Sequence, residues 1–429
     1  MLAKVDSDLP AMYQWARELF PIHRCLTGDG VRQTLAYLQD VLPDLKVHEV
    51  ASGTKAFDWT VPKEWVIREA YVEDAAGTRI IDICNSNLHV LQYSAPFEGW
   101  VSRAELDAHL HSLIYQPDAI PYVTSYYKER WGLCISQRQR ELLTDERYFV
   151  RIDSELKDGH LTYGELIIPG DEATEVLLST NICHPSMANN ELSGLVVLTG
   201  LAQWLASEPR RHTYRILFLP ETIGALAYLS RHLPDMQANT VAGYQIVCCG
   251  DERTFSYLPS RKGGTLADRA AIAAFRELGI KPTCYSFLDR GSDERQWCAP
   301  GLDLPVASIT RSKYDAYPEY HTSLDDLSVI SQAGLEGSLK VYQRAIEIIE
   351  ANKTYKTTVL GEPQLGKRGL YPEQATEGRG GNLAPIFNIL AYADGTRDLI
   401  SLAETIGCDT LECARICETL VQHELLRPV

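Results

Sequence analysis

Apolar runs and segments with helical spacing alternate between about residue 149 and residue 355. Four short apolar runs are predicted to be buried strands, at residues 176–179, 214–219, 244–249 and 306–309. Four longer segments have the periodicity of helices, at residues 195–207, 224–232, 265–278 and 327–352. This alternation predicts an α/β fold with a mixed, largely parallel sheet flanked by helices.

The pattern changes on the N-terminal side of this region. Residues 11–20 and 31–42 have the spacing of amphipathic helices. From 49 to 148 the chain consists of short alternating segments separated by turn residues, which is typical of a β-rich module. We therefore predict one α/β domain formed by residues 1–48 and 149–355, with residues 49–148 inserted into it.

The C-terminal part is predicted to be a separate module, residues 356–429. Residues 356–383 are rich in Gly, Pro and charge and are predicted to be a linker. Three short helical segments follow, at residues 386–392, 399–406 and 411–426, and together they favour a winged-helix-like shape. The basic residues of 384–429 are Arg397, Arg415 and Arg427, too few for a DNA surface, so we predict a protein-contact or structural role.

Composition narrows the class of protein. The chain has 429 residues, of which 45% are apolar and 23% charged, as in soluble globular proteins. A net charge of −16 argues against a nucleic-acid partner. Eleven cysteines without a Cys-x-x-Cys pair favour free thiols in a reducing compartment. With no apolar span of membrane length and no signal-peptide core, we predict a cytoplasmic protein without a membrane partner.

Four polar residues follow predicted strands or the loop beyond the last one: His184, Glu221, Asp251 and His321. Each alone has a structural explanation, such as a buried histidine, a helix-start acid or a turn residue. Together they are more informative, because loops at the carboxyl ends of parallel strands converge on one crevice. Two histidines and an acid can bind a metal ion, and a nearby glutamate can serve as a general base.

Several motifs in the same order resemble a known family. They are residues 26–28 (LTG), 61–65 (VPKEW), 124–127 (TSYY), 183–194 (CHPSMANNELSG), 290–295 (RGSDER) and 320–323 (YHTS). The pattern resembles zinc aminopeptidases of the M28 type, and more closely the DUF4910 family, which carries an inserted DUF2172 module and a C-terminal winged helix. The resemblance covers nearly the whole chain.

The resemblance implies a zinc site and a general base. It assigns metal binding to His184, Asn189, Asp251 and His321, and the base to Glu221. In the broader family two zinc ions share a bridging aspartate, here matched to Asn189. A second glutamate that binds metal is here Thr222. Because an amide is a weak zinc ligand and a threonine cannot replace a carboxylate, we predict one zinc ion rather than two.

The same resemblance points to substrate-binding residues. Ser292 and Asp293 match a Ser-Asp-His element of the family, with Glu294 in place of the histidine. We predict that Arg290, Asp293 and Glu294 contact the substrate, for example its amine or its carboxylate.

Three functions are compatible with these residues. The first is hydrolysis of an amide or peptide bond by a metal-bound water with Glu221 as base. The second is a small-molecule amidohydrolase or deacylase of a biosynthetic pathway. The third is a non-catalytic binding protein, because Asn189 and Thr222 replace expected acids. The expected partner is a small peptide or another amide-containing small molecule, and assembly into a homo-oligomer is left open.

Overall fold

The alternation of strands and helices predicted from the hydrophobic pattern is present in the structure, a computed structural model that describes residues 12–370 and 383–429. The helices in these ranges are α1 Met12–Leu19, α2 Asp29–Val41, α3 Arg103–His109, α4 Gln137–Glu141, α5 Ser193–Ala206, α6 Ile223–Asn239, α7 Leu266–Glu277, α8 Glu294–Trp297, α9 Gln332–Ala351, α10 Ala384–Tyr392, α11 Leu399–Ile406 and α12 Thr410–Gln422.

The strands in these ranges are mostly short, as is usual for a domain with several small sheets. They are β1 Lys46–Ala51, β2 Lys55–Ala56, β3 Trp59–Thr60, β4 Glu64–Glu73, β5 Arg79–Asp82, β6 Phe97–Ser102, β7 Leu110–His111, β8 Leu133–Cys134, β9 Arg147–Lys157, β10 His160–Ile168, β11 Glu175–Asn181, β12 Thr213–Leu219, β13 Thr240–Gln245, β14 Ser256–Leu258, β15 Thr283–Cys284, β16 Val306–Thr310, β17 Thr354–Thr357, β18 Asp394–Asp398 and β19 Leu426–Pro428.

The main sheet has eight strands in the order β1-β10-β12-β11-β13-β16-β14-β15. Its centre is parallel, because β11 pairs in parallel with both β12 and β13, and β13 pairs in parallel with β16. The pairings of β1 with β10, β10 with β12, and β14 with β16 are antiparallel. The predicted mixed sheet flanked by helices is therefore confirmed. Strand β11 is buried along its whole length, as expected for a central parallel strand.

One strand boundary differs from the prediction in a way that matters for the site. The apolar run at residues 244–249 predicts a strand ending at Cys249, but β13 ends at Gln245. The run is apolar because it is buried, not because it is all strand. Cys248 has φ 52°, a left-handed conformation that an extended strand does not use. Val247 therefore lies two residues beyond the end of the strand, and Asp251 lies beyond the turn.

The inserted region forms its own antiparallel sheet, in the order β5-β4-β9-β6. Its longest pairing joins β4 to β9, from Glu64 with Lys157 to Glu73 with Phe149. The domain boundaries drawn from the sequence at residues 48 and 148 fall inside strands β1 and β9. Strand β9 continues the inserted sheet to Lys157. The sheet therefore extends beyond residue 148, where the pattern of short alternating segments ends.

The chain divides into two units, and the second comprises Gly264–Lys281 and Val341–Val429. Within it, strands β17, β18 and β19 form a three-stranded sheet beside helices α10 to α12. Its core includes Leu402, Cys413, Cys417 and Leu420. The predicted last helix, 411–426, is shorter in the structure, because α12 ends at Gln422 and the chain then forms β19.

Two segments used in the sequence predictions lie outside the described residues. They are the N-terminal residues 1–11 and the Gly-rich part of the predicted linker, at residues 371–382. In the part of the chain that the structure does describe, none of the helices combines the length and apolar character needed to cross a membrane.

The start of helix α5 lies against Ile246 and Val247, the two residues that follow strand β13. A Cβ atom added at Gly194 would lie 2.3 Å from the carbonyl oxygen of Ile246 and 2.8 Å from Cα of Val247. These are backbone atoms, which cannot move aside as a flexible side chain could. The absence of a side chain at Gly194 therefore brings the polar turn before α5 next to residue 247.

We expect Gly194→Ala to destabilise the fold by about 2 kcal/mol or more, because the added methyl group overlaps backbone atoms. Chemical unfolding followed by circular dichroism measures the change. Gly99→Ala is the matched control, since a Cβ at Gly99 meets no atom within 4 Å. Equal stability of the two variants would show that α5 can move away from β13 at little cost.

Candidate active site

The residues predicted to form a site lie at the carboxyl ends of the central strands and in adjoining loops. His184 follows β11, and Glu221 lies between β12 and α6. Nε2 of His184 is 3.6 Å from Oε2 of Glu221. The ring centroids of His184 and His321 are 5.5 Å apart. The structure therefore brings together three of the predicted residues, from segments separated by up to 137 positions in the chain.

A buried carboxylate fixes His184. Oε2 of Glu191 accepts hydrogen bonds from the backbone N–H groups of Cys183 and His184, both at 2.6 Å, and from Nδ1 of His184 at 2.7 Å. With Nδ1 bonded to Glu191, Nε2 is the nitrogen that faces Glu221. This is the arrangement in which a carboxylate orients a metal-binding or proton-transferring imidazole.

Glu191 is in turn paired with a buried arginine. Nε of Arg24 lies 3.1 Å from Oε1 of Glu191, and neither side chain is exposed. The same Nε donates to the carbonyl of His184 at 3.1 Å, and Nη1 donates to the carbonyl of Leu19 at 2.7 Å. Arg24 thus ties the N-terminal helical segment to the strand end that carries His184.

Charges around this pair set the protonation states. Burial alone would raise the pKa of Glu191, but His184 and Arg24 outweigh it and lower that pKa. Burial would likewise lower the pKa of His184, but Glu191 and Glu221 outweigh it and raise that pKa. The pKa of Glu221 is raised, mainly by burial, although His184 and Arg295 oppose the shift. A carboxyl group with a raised pKa can carry a proton during a reaction.

The turn after Glu221 is held in a strained conformation. Thr222 has φ 65°, which is unusual for a β-branched residue. Its backbone N–H donates to Oδ1 of Asp293 at 2.7 Å, and its hydroxyl accepts from Nη2 of Arg295 at 2.5 Å. Arg295 also lies 3.9 Å from Glu221. Asp293 and Arg295 therefore fix the direction in which Glu221 points.

Asp293 and Glu294 are fully buried, so their positions differ from the predicted substrate contacts. Oε1 of Glu294 accepts bonds from the backbone N–H of Gly291 and Ser292 and from the hydroxyl of Tyr314. These acids organise their own loop and its neighbours. Burial, reinforced by Glu221, raises the pKa of Asp293 well above its ordinary value.

Arg290 is exposed, and no contact in the described chain joins it to the residues around Glu221. Its guanidinium donates to the carbonyl of Phe287 and lies over the ring of the same residue, 5.1 Å from the centroid. The loop turns this side chain outward, although its sequence position is only three residues from Asp293. The predicted substrate contacts of Arg290, Asp293 and Glu294 are thus not formed by residues that line the recess.

A small recess lies beside Glu221. Polar and aromatic side chains dominate its lining, which comprises Asn181, Asn190, Glu221, Val247, Gly291, Ser292, Tyr314 and Tyr320. The sequence analysis singled out neither Asn190 nor Val247, and it also left out Asn181 and Tyr314. Adjacent identical asparagines concealed Asn190, and the misplaced end of β13 concealed Val247.

Asn189 and Asp251 bond to each other instead of lining the recess. Nδ2 of Asn189 donates to Asp251 at 3.1 Å, and Oδ1 accepts from the backbone N–H of Gly250 and Asp251. Asp251 also accepts from the backbone and hydroxyl of Ser312. Both oxygens of Asp251 and both polar atoms of the Asn189 amide are therefore used in holding this turn.

The predicted metal ligands are not assembled as one group. Ligands of one zinc ion lie about 2.0–2.3 Å from it, so they are within about 4.6 Å of one another. In the described residues, the one trio of His, Cys, Asp or Glu with ligand atoms within 4.8 Å is Cys183, His184 and Glu191. The set of His184, Asp251 and His321 does not meet this distance, and its binding of a metal stays a prediction.

The trio of Cys183, His184 and Glu191 is itself poorly suited to zinc. Glu191 already accepts three hydrogen bonds and pairs with Arg24. Burial and the neighbouring acids Glu191 and Glu221 raise the pKa of the Cys183 thiol well above its ordinary value, which opposes the thiolate that zinc requires.

His184 and His321 are the two histidines at this site. Nε2 of His321 is buried and has no hydrogen-bond partner among the described residues. Burial, with His184 nearby, lowers the pKa of His321 to about 3, so the ring is neutral, as a metal ligand must be. Nε2 of His184 is directed toward Glu221 by Glu191. The imidazoles of His184 and His321, with ring centroids 5.5 Å apart, are therefore the candidate nitrogen donors of this site.

Comparison with known proteins identifies the families that the two parts of the chain match. Residues 13–352 match the family described as a domain of unknown function, DUF4910. The chain belongs to the DUF4910 family. Residues 353–428 match a winged helix-turn-helix family. The suspected relationship and the C-terminal winged helix are therefore confirmed.

Relatives extend the comparison over the whole chain. A Clostridium acetobutylicum protein, provisionally named for polysaccharide biosynthesis with an aminopeptidase-like domain, is 41% identical over 424 residues, covering 97% of this chain and 96% of its own. A crystal structure from the same organism, provisionally named a peptidase, has a TM-score of 0.91 at 40% identity, covering 97% and 96% of the two chains.

A more distant structure shows the fold alone. The zinc aminopeptidase BSAP of Bacillus subtilis has a TM-score of 0.60 at 12% identity, and the match covers 79% of this chain and 95% of BSAP. The M28 peptidase of Shewanella amazonensis has a TM-score of 0.55, also at 12% identity, with 83% and 95% covered. The family thus has an aminopeptidase-like fold.

We expect Arg24→Met to destabilise the protein by about 3–5 kcal/mol, because it leaves the buried charge of Glu191 without its cation. Urea unfolding at pH 7 measures the loss. Arg68→Met is the control, since Arg68 pairs with Asp153 and Glu155 at the surface and should be replaceable with little effect. If both variants unfold at the same urea concentration, the Arg24–Glu191 pair does not support the site.

Proposed function

We propose that this protein hydrolyses an amide bond in an aminopeptidase-like reaction with Glu221 as the proton carrier. The observation that supports it most is the position of Glu221, 3.6 Å from the Nε2 of a histidine whose Nδ1 is fixed by a buried carboxylate. A base needs to be close to the reacting water and held in one direction. Asp293 and Arg295 provide that direction through Thr222.

Glu221 carries the proton in both transfer steps of the proposed reaction. Its carboxylate would take a proton from the attacking water and deliver it to the leaving nitrogen. A raised pKa suits both steps, because the group then binds the proton long enough to pass it on. Arg295 at 3.9 Å limits the shift, so that the ionised form remains accessible.

A single zinc ion is part of the proposal, with His184 and His321 as the residues that would hold it. When bound, zinc would lower the pKa of water and polarise the substrate carbonyl. The unpartnered Nε2 of His321 and the oriented Nε2 of His184 support this placement. Tyr320 stacks on His321 with ring centroids 3.9 Å apart and limits the rotation of the imidazole.

The proposed substrate is a small peptide or another small molecule with an amide bond. The recess beside Glu221 is small and is lined by Tyr314, Tyr320 and two asparagines, which offer hydrogen bonds without net charge. The name of the C. acetobutylicum relative, which refers to polysaccharide biosynthesis, makes an N-acylated sugar one candidate of this class.

A binding role without catalysis is the second candidate. It is favoured by Asn190, Val247 and Thr222, which place no carboxylate at three positions in or next to the recess. Zinc content separates the two: a binding protein would be purified without stoichiometric zinc and would not hydrolyse amides after zinc is added.

The C-terminal module is proposed to contact protein rather than nucleic acid. Over residues 384–429 there are seven acidic residues and three basic ones, a net charge of −4 without histidine. Phosphate backbones are bound by clustered Lys and Arg, which this module lacks.

We expect Glu221→Gln to lower turnover by about 10²–10⁴-fold while leaving bound zinc unchanged, because the amide cannot carry the proton but does not alter the two histidines. Hydrolysis of a panel of aminoacyl anilides and N-acyl sugars, with elemental mass spectrometry, gives both quantities. Glu98→Gln, an exposed acid of the inserted sheet, is the control. Loss of zinc in Glu221→Gln would make Glu221 a ligand, and full activity would remove its role.

Substitution of the two asparagines tests the corrected placement. Asn190→Asp should raise zinc occupancy, because it adds a carboxylate to the recess. Asn189→Asp should lower stability without adding zinc, because the new carboxylate faces Asp251 across a 3.1 Å contact. Zinc analysis and thermal unfolding of both variants measure this. Zinc gained through Asn189→Asp instead would restore the original assignment.

A further inference from the structure

One segment of the inserted module lies against the loop that carries His321. The backbone N–H of Tyr122 donates to the carbonyl of His321, and that of Ser323 donates to the carbonyl of Ile120, both at 2.9 Å. The hydroxyl of Ser323 also accepts from the N–H of Ile120 at 2.9 Å. These bonds join residues about 200 positions apart in the chain, as a short antiparallel pairing would.

The backbone of His321 needs this support. Its φ of 55° is left-handed, a conformation that costs a residue with a side chain on the order of 1 kcal/mol or more. The hydrogen bond from Tyr122 to the carbonyl of His321 and the one formed by Ser323 hold the chain at His321 and two residues after it. The insert therefore stabilises a strained residue of the candidate active site.

The ring of Tyr122 contacts both imidazoles. Its centroid is 5.3 Å from that of His184 and 5.1 Å from that of His321, while the imidazoles are 5.5 Å apart. The three rings thus form a nearly equilateral triangle. Tyr320 stacks on His321 at 3.9 Å. Since Nε2 of His321 has no hydrogen-bond partner in the described chain, aromatic contacts are what orient that end of the ring.

Tyr122 is itself anchored in the insert. Its hydroxyl shares a 2.7 Å hydrogen bond with the hydroxyl of Tyr126. The ring of Tyr126 meets the ring of Tyr93 edge to face at 5.3 Å. Tyr93 is buried, and its hydroxyl bonds to Thr27 at 2.7 Å. These contacts limit the movement of Tyr122, so its position can determine that of the histidines.

We propose that Tyr122 is a positioning residue of the active site, supplied by the inserted module, and that its ring sets the spacing and direction of His184 and His321. The inference rests on the proposed function, in which these two histidines hold zinc. The insert is then a structural part of the catalytic centre and not an accessory domain. The ring carries this role, and the hydroxyl only anchors the ring.

Three variants of Tyr122 separate the ring from the hydroxyl and from simple bulk. Tyr122→Phe keeps the ring, Tyr122→Leu keeps apolar bulk without a ring, and Tyr122→Ala removes both. Tyr115→Ala is the control, since Tyr115 belongs to the same module and is 84% exposed. Thermal unfolding is measured for each full-length variant, so that only folded protein is compared.

The first readout is zinc affinity of the metal-free protein, measured by calorimetry with zinc alone. We expect Tyr122→Leu and Tyr122→Ala to bind about 10–100-fold more weakly, as for residues that orient metal ligands. Tyr115→Ala should bind as the unsubstituted protein does, and Tyr122→Phe, which keeps the ring and loses only the bond to Tyr126, should lose less affinity than Tyr122→Leu. Equal affinity in all variants, or an equal loss in Tyr122→Phe and Tyr122→Ala, would overturn the proposal.

The second readout does not depend on zinc or turnover. Histidines labelled with ¹³C are observed by NMR in the metal-free protein, with His184→Gln and His321→Gln used for assignment. We expect one sharp signal for each imidazole in the unsubstituted protein and in Tyr122→Phe, and broadened or doubled signals in Tyr122→Leu. Sharp single signals in Tyr122→Leu would overturn positioning by the ring. If the unsubstituted protein binds no zinc, the proposed function fails, while this readout still tests Tyr122.

Discussion

The hydrogen-bonded carboxylate of Glu191 is the interaction on which the rest of the site depends. A buried carboxylate is stable only if donors and a cation replace the water it has lost. Here two backbone N–H groups, the Nδ1 of His184 and the guanidinium of Arg24 do so. One of those donors is the histidine itself. The hydrogen bonds that offset the burial of the Glu191 carboxylate therefore also orient His184.

Two residues with strained backbone lie beside the residues of this site. Thr222 and His321 both have left-handed conformations, and each is held by bonds from a distant segment. Asp293 fixes the first, and the inserted module fixes the second. Such strain persists only where surrounding contacts determine the conformation, and it is common at functional sites. The two residues direct the side chains of Glu221 and His321 toward one place, so the strain has a clear geometric result.

The fold and the chemistry do not carry the same information. The sheet is that of zinc aminopeptidases, but a fold hosts many activities, and the side chains of the site decide among them. Around the recess, Asn190 and Val247 are neutral, the carboxylate of Asp293 accepts from the backbone of Thr222, and that of Glu294 accepts from its own loop. The residues at these positions, rather than the fold, therefore decide which chemistry the recess supports.

Much of this architecture could be predicted from the sequence, because strand and helix periodicity is a local property. The parallel sheet, the position of His184 and Glu221 at strand ends, and the family itself all follow from residues within short windows. Side-chain direction does not. Asn189 and Asn190 are chemically identical, and only the bonds of Asn189 to the Gly250–Asp251 turn show which one faces the recess.

The contacts of Arg24 with Glu191 and of Tyr122 with His321 join residues 167 and 199 positions apart. Packing in three dimensions decided these contacts, since nothing in the local pattern marks either partner.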